Sequence, residues 1–185
     1  MSTPDVQLMY LAGIISPAPV TPGYAKFHQL TTWDMFEFMW PYEPIPVCVG
    51  HDKSFEIGDV VDVFRMFNGE IMAIIRLFAT NDLKNEILSG KLLQLSVSFS
   101  RYEILPNTWT AADPLEISLV STGKLYRTDI LVIVDNGETL LNEDKVGPDF
   151  NRDVDTLLSQ LVDVGLLKPT RSPVDHQALK GAQPA

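Results

Sequence analysis

A chain of 185 residues, 45% of them hydrophobic, is long enough for one domain with a substantial core. Fourteen basic against 24 acidic residues leave a net charge of −10, which excludes broad electrostatic attraction to nucleic acid. No apolar run reaches membrane-span length, no secretory leader pattern opens the chain, and the single Cys48 excludes an internal disulfide or a cysteine-rich zinc site. A soluble protein that needs no metal and no cofactor is expected.

In chain order, "QLMYLAGIIS" (7–16) reads as a strand, and the proline-rich "SPAPVTPGYAK" (16–26) as a loop. "TTWDMFEFMW" (31–40) has a helical pattern whose Trp33, Phe36, Phe38 and Trp40 would cap a core. After the proline-rich "WPYEPIPV" (40–47), "PVCVGHD", "GDVVDVFRMF" and "GEIMAIIRLF" are further strands, the last two joined by a turn at "NGE" (68–70). "TNDLKNEILSG" (80–90) reads as a helix closing on Gly90. "LLQLSVSFS", "LEISLVST" and "TDILVIV" complete about seven strands. "RDVDTLLSQLVDVGLL" (152–167) is an amphipathic helix, and 168–185 is polar, proline-containing and expected to be disordered. The count predicts a mainly β fold with flanking helices (α+β). Its core would be a closed or nearly closed barrel of about seven strands, in a single domain over 1–167.

"LLQLSVSFS" places Ser96, Ser98 and Ser100 on one side of a strand and Leu95, Val97 and Phe99 on the other. Taken alone, this is the pattern of a wet sheet face. A nucleophilic serine needs a base and a group that orients the base. Of the three histidines, His28 and His176 lie in exposed contexts, whereas His51 ends the "PVCVGHD" strand where a loop begins. Glu116 shares one face of its strand with Ser118 and Val120, opposite Leu115, Ile117 and Leu119. A carboxylate inside a strand must be solvated or paired, and a histidine is a natural partner. Ser96, His51 and Glu116 would then supply a complete triad. Other chemistries find less. "STGKL" has Ser118 where a phosphate loop needs glycine, and Cys48 and His51 point to opposite faces of one extended stretch. Asp59 and Asp62 read as solvated strand-edge charges.

"IPVCVGHD", "LQLSVSFS" and "EISLVSTGKL", taken in order, resemble the capsid maturation serine proteases. This superfamily joins the herpesvirus assemblins to the prohead proteases of tailed phages. The resemblance covers about residues 8–134, including "YLAGII", which matches the assemblin opening Tyr-x-x-Gly. It implies Ser96 as nucleophile and His51 as general base. Glu116 stands where most herpesvirus enzymes have a second histidine and phage relatives an acidic residue. The opening strand favours a divergent herpesvirus-type assemblin; Glu116 and "ILSGKLLQLSVSF" favour the phage branch. Where assemblins follow a glycine with consecutive arginines, this chain has Gly123-Lys124-Leu125. The resemblance therefore implies backbone oxyanion donors at Gly123 and Lys124, while Leu125 cannot replace the second arginine.

The function implied is a serine endopeptidase that cleaves a viral scaffold protein and its own precursor inside the assembling procapsid. That location is the host nucleus for a herpesvirus-type enzyme and the host cytoplasm for a phage-type one. The tail at 168–185 would lie near a self-cleavage site. Val154, Leu157, Leu158, Leu161, Val162 and Leu166 recur at helical spacing. On pattern alone they pack on their own barrel, but the resemblance implies a homodimer through this helix. Neither a nucleic acid nor a membrane is expected as a partner. The alternative is a non-enzymatic β-barrel binding or structural module of a virion, its serine face only wet surface.

Overall fold

The structure, a computed structural model, describes residues 5–16, 44–66, 68–105, 108–123, 127–146 and 154–166; for 99–113 and 154 it describes the backbone. The expected helix at 31–40, its aromatic residues and the tail from 168 lie outside these residues. The chain divides into two compact units, Met1–Val154 and Asp155–Ala185.

The first unit is built on one sheet of eight strands. They are β1 (Val6–Ser16), β2 (Pro46–Val49), β3 (Asp52–Arg65), β4 (Ile71–Thr80), β5 (Gln94–Leu105), β6 (Thr108–Val120), β7 (Ile130–Asp135) and β8 (Glu138–Leu141). Their order across the sheet is β5-β6-β2-β3-β4-β1-β7-β8. All the neighbours run antiparallel except β2 and β6, which are parallel. Alternation sends Met9, Leu11, Ile75, Leu77, Leu95, Ile117 and Leu119 to one buried cluster.

Helix α1 (Asn81–Leu88) carries the chain from β4 to β5. The Thr80 hydroxyl accepts from the Leu83 N–H at its start, and Leu83 and Ile87 are its buried residues. It ends just before Gly90, as its sequence predicts. No helix of the described residues is long and apolar enough to cross a membrane.

The expected closed or nearly closed seven-stranded barrel is corrected to an open, curled sheet of eight strands. The start of β5 does reach the residues leading into β7. Leu95 N–H donates to Thr128 O at 2.8 Å, and Ile130 N–H to Leu93 O at 2.9 Å, around the bridge Gln94–Asp129. Contact ends there because β7 already has β1 on one side and β8 on the other from Val132 to Asp135. Gly13 on β1 permits the approach. A Cβ on it would lie 2.8 Å from Leu95 Cδ1 and 3.0 Å from Asp129 O.

In the second unit, α2 (Val154–Asp163) lies within the expected helix at 152–167. Leu157 and Leu161, four residues apart, are buried, while Leu158 and Val162 are half-buried.

Candidate active site

The site forms where β5, β6 and the β2–β3 turn come together. Val49 pairs with Asp52, so Gly50 and His51 alone make the turn between two antiparallel strands. Both have positive φ, +59° and +65°, as a two-residue hairpin of the I′ kind requires. Glycine adopts this conformation freely, and histidine is among the few other residues that tolerate it. The parallel pairing of β2 with β6 brings the turn beside Ser118 and Leu119. Gly50 N–H donates to Leu119 O at 3.0 Å, and His51 N–H to Ser118 Oγ at 2.9 Å.

On the neighbouring pair, Ser96 stands opposite Ser118, and Ser98 opposite Glu116. Side chains directly opposite across an antiparallel pair share a face. His51 leans over that face. Its Nε2 lies 3.1 Å from Ser96 Oγ and its Nδ1 lies 2.6 Å from Glu116 Oε1. Ser98 Oγ lies 3.0 Å from Nδ1. Ser118 donates to Glu116 Oε2 at 2.5 Å while it accepts from the His51 amide, so one hydroxyl ties the histidine's backbone to the carboxylate.

Burial sharpens this geometry. Glu116 and Ser118 are 0% exposed and Ser96 is 5% exposed, so the wet-face reading does not hold for Ser96, while Ser98 is half-buried. The His51 side chain, at 31%, is the part open to solvent. Burial pushes the Glu116 carboxyl upward. Hydrogen bonds from His51, Ser118 and Ser98, with the attraction of His51, outweigh that and hold it below its ordinary value of 4.5. The carboxylate is ionised at neutral pH. It accepts from Nδ1–H, which leaves Nε2 as the lone-pair side facing Ser96. An arrangement of this kind can deprotonate the hydroxyl during attack on a carbonyl and stabilise the imidazolium that results. Cys48, by contrast, is 1% exposed, and burial first, then the Glu116 charge, raises its thiol pKa. It stays protonated and inert.

The structure thus brings Ser96, His51 and Glu116 into one relay. Of the two residues assigned to the oxyanion, Lys124 lies outside the described residues. The Gly123 N–H is already engaged, donating to Gln94 Oε1 at 2.7 Å. Asp59, read as a solvated edge charge, instead binds Arg76 through both carboxylate oxygens at 2.8 and 2.9 Å. Asp62, the other, is half-buried, and burial raises its pKa despite a bond from Val63 N–H. Ser118 and Gln94 were not singled out from sequence. The signal available was period two: Ser118 follows Glu116 by two residues, and Gln94 precedes Ser96 by two.

No family model matches the chain, and no curated protein matches it. Among solved structures, the chain is similar to a Kaposi's sarcoma-associated herpesvirus protease in complex with a hexapeptide phosphonate inhibitor. The identity is 20%, over 88% of this chain and 90% of that one, at a TM-score of 0.49. A varicella-zoster virus protease is 17% identical over 88% of this chain and 92% of its own, at 0.44. The Kaposi's sarcoma-associated herpesvirus protease in complex with a dimer disruptor is 18% identical over 67% and 75%, at 0.42.

Proposed function

We propose that this chain is a serine endopeptidase with Ser96 as nucleophile, His51 as general base and acid, and Glu116 as the group that orients His51. What carries the reading is the relay from Ser96 Oγ through the His51 ring to a buried, ionised Glu116. Ser96 Oγ bonds to the peptide carbonyl carbon as its proton passes to Nε2. The adduct's C–N bond breaks as Nε2 returns that proton to the leaving amine. A water then gives a proton to the same nitrogen and attacks the Ser96 ester. Nε2 returns that proton to Oγ as the acyl C–Oγ bond breaks, which restores the serine and releases the carboxylic acid. Glu116 keeps Nδ1 protonated and stabilises the imidazolium in both halves. The motif resemblance assigns the oxyanion to the backbone at Gly123 and Lys124; with the Gly123 N–H held by Gln94, the donor in this proposal is the Lys124 N–H.

The substrate assignment follows from the motif resemblance. It is a viral scaffold protein and the enzyme's own precursor, cut after a small residue such as alanine inside the assembling procapsid. The host compartment is the nucleus for a herpesvirus-type enzyme and the cytoplasm for a phage-type one. A homodimer through the helix at 152–167 belongs to the same proposal. Specific activity that stays constant down to concentrations where only monomer sediments removes the dimer from it.

An alkyl fluorophosphonate tests the central claim. It should label the wild type at Ser96 and leave Ser96→Ala unlabelled. A wild type that is not labelled leaves the non-enzymatic virion module as the reading.

A further inference from the structure

The pairing of β2 with β6 ends at Val49 and Leu119, where the hairpin turns back into β3. Its tip stays fastened to β6 through Gly50 N–H on Leu119 O at 3.0 Å and His51 N–H on Ser118 Oγ at 2.9 Å. The His51 backbone, at a φ of +65°, thus hangs from a side-chain hydroxyl where a sheet would use a carbonyl. That hydroxyl belongs to the residue directly opposite Ser96 across β5 and β6. Side chains so placed leave their backbones about 5 Å apart at Cβ.

Ser118 is fully buried, so its oxygen has to find its partners inside the protein. Glu116 is ionised and can only accept. The Ser118 hydrogen therefore goes to Glu116 Oε2, at 2.5 Å, and an oxygen lone pair takes the His51 amide. The consequence falls on His51 Nδ1, whose hydrogen has two acceptors in reach, Glu116 Oε1 at 2.6 Å and Ser98 Oγ at 3.0 Å. A bond at Oε2 stops the carboxylate from rotating and so keeps Oε1 on the ring. A ring that turned to Ser98 would have a neutral partner, which stabilises an imidazolium less than a carboxylate does.

We infer that Ser118 is a positioning residue for the reaction: one hydroxyl sets the His51 ring and the Glu116 carboxylate against each other, from the position facing the nucleophile. This inference rests on the proposed Ser96 chemistry. Ser118 is closed off from solvent, so it acts through His51 and Glu116 and takes no part in bond making. Its contribution lies in how well the base is aimed and how firmly its cation is held. Both bear on the step in which Ser96 attacks, and neither bears on binding.

Threonine and valine have nearly the same shape and both suit a strand, so crowding by the added methyl group is common to Ser118→Thr and Ser118→Val. The two variants differ in the hydroxyl. In Ser118→Ala and Ser118→Val, the maximal rate of Ser96 labelling by the fluorophosphonate should fall about tenfold to a hundredfold, the scale of a small misplacement near the reacting atoms. Ser118→Thr should recover most of what Ser118→Val loses. Hydrogen exchange at the His51 amide should speed up in Ser118→Ala and Ser118→Val, and stay slow in Ser118→Thr. The half-saturating probe concentration should change little in all three, which a general loosening of the fold would not spare. Ser118→Ala labelled at the wild-type rate overturns the inference and leaves the protease reading standing. So does Ser118→Thr labelled no faster than Ser118→Val. A wild type that the probe does not label at all removes both.

Discussion

Glu116 on β6 and Asp59 on β3 each face a nitrogen partner, at 2.6 Å from His51 Nδ1 and at 2.8 and 2.9 Å from Arg76. The distances are alike and the surroundings are not. Glu116 is fully buried, its partner carries charge only when protonated, and Ser118 and Ser98 supply the remaining hydrogen bonds. Asp59 and Arg76 are 24% and 43% exposed, and the guanidinium is always charged. A permanent pair open to water is electrostatically finished, and solvent screens most of its value. A buried carboxylate facing a titratable ring is different. It gains a full ion pair only when a proton arrives at the far nitrogen, which in the proposed reaction is the moment of nucleophilic attack. The difference between these two regions is therefore one of timing as much as of strength.

The largest expected effects fall on the relay. Ser96→Ala and His51→Ala should each lower turnover by roughly 10⁴- to 10⁶-fold, and the double variant should be no worse than either, since such residues act as a unit. Ser96→Ala should leave the urea midpoint nearly unchanged, because it removes a hydroxyl without emptying a packed volume. Losses that add in the double variant would mean that the two residues do not share a step.

Glu116→Gln should come next, with turnover down by about 10³- to 10⁴-fold, because an amide can hold His51 in the wrong tautomer. The same variant probes the carboxylate's contribution to stability. The folded-state pKa of Glu116 lies below 4.5, so its contribution is fully present above 4.5 and is lost as pH falls through the folded value. Urea unfolding from pH 7 downward should find the wild type ahead of Glu116→Gln, with the gap narrowing below pH 4.5. A gap that widens on acidification would contradict this account of Glu116. Ser118→Ala should cost less activity, about tenfold to a hundredfold, while destabilising the fold by about 1–3 kcal/mol. It leaves the His51 N–H without its acceptor and Glu116 Oε2 without a donor. Ser98→Ala should cost less again.

Much of this was legible from residue order. Apolar runs bounded by turn residues located β1, β4 and β7, and period-two patterning in β5 and β6 put Ser96, Glu116 and Ser118 on the faces they occupy. The misses share a cause. β8, "ETLL", is four residues with its first three exposed, so no alternation marks it. The first five residues of β3, Asp52 to Glu56, are also exposed, and Phe55 is their single apolar residue, so the apolar run begins only at Gly58. Without them the tight turn at Gly50-His51 reads only as a strand running into a loop. Openness of the sheet follows from β8, since a barrel of seven strands would have left β7 free to meet β5 along its length. The Asp59–Arg76 pair escaped because patterning gives the face of a strand but not the register with its neighbour. Gln94 escaped for a similar reason: alternation shows where a side chain leaves the backbone, not what lies within its reach.

The smallest effect should come from Asp59→Asn, and it tests the other half of the comparison. Asp59 and Arg76 stand opposite each other on β3 and β4, and the guanidinium lies 5.8 Å from the centre of the exposed Phe78 ring. Losing the carboxylate leaves Arg76 in water and still against that ring, so no buried charge is stranded. The urea midpoint should hardly move at 0.5 M salt and should fall slightly at low salt, where screening is weakest. Labelling of Ser96 should be unaffected at either salt. Arg76→Met should behave similarly in labelling, its stem keeping the packing that a shorter residue would lose. A large, salt-independent loss of stability in Asp59→Asn would mean that this pair resembles Glu116 and His51 more than its exposure indicates. A loss of labelling would tie the β3–β4 face to the site, and the division between a finished pair and a poised one would fail.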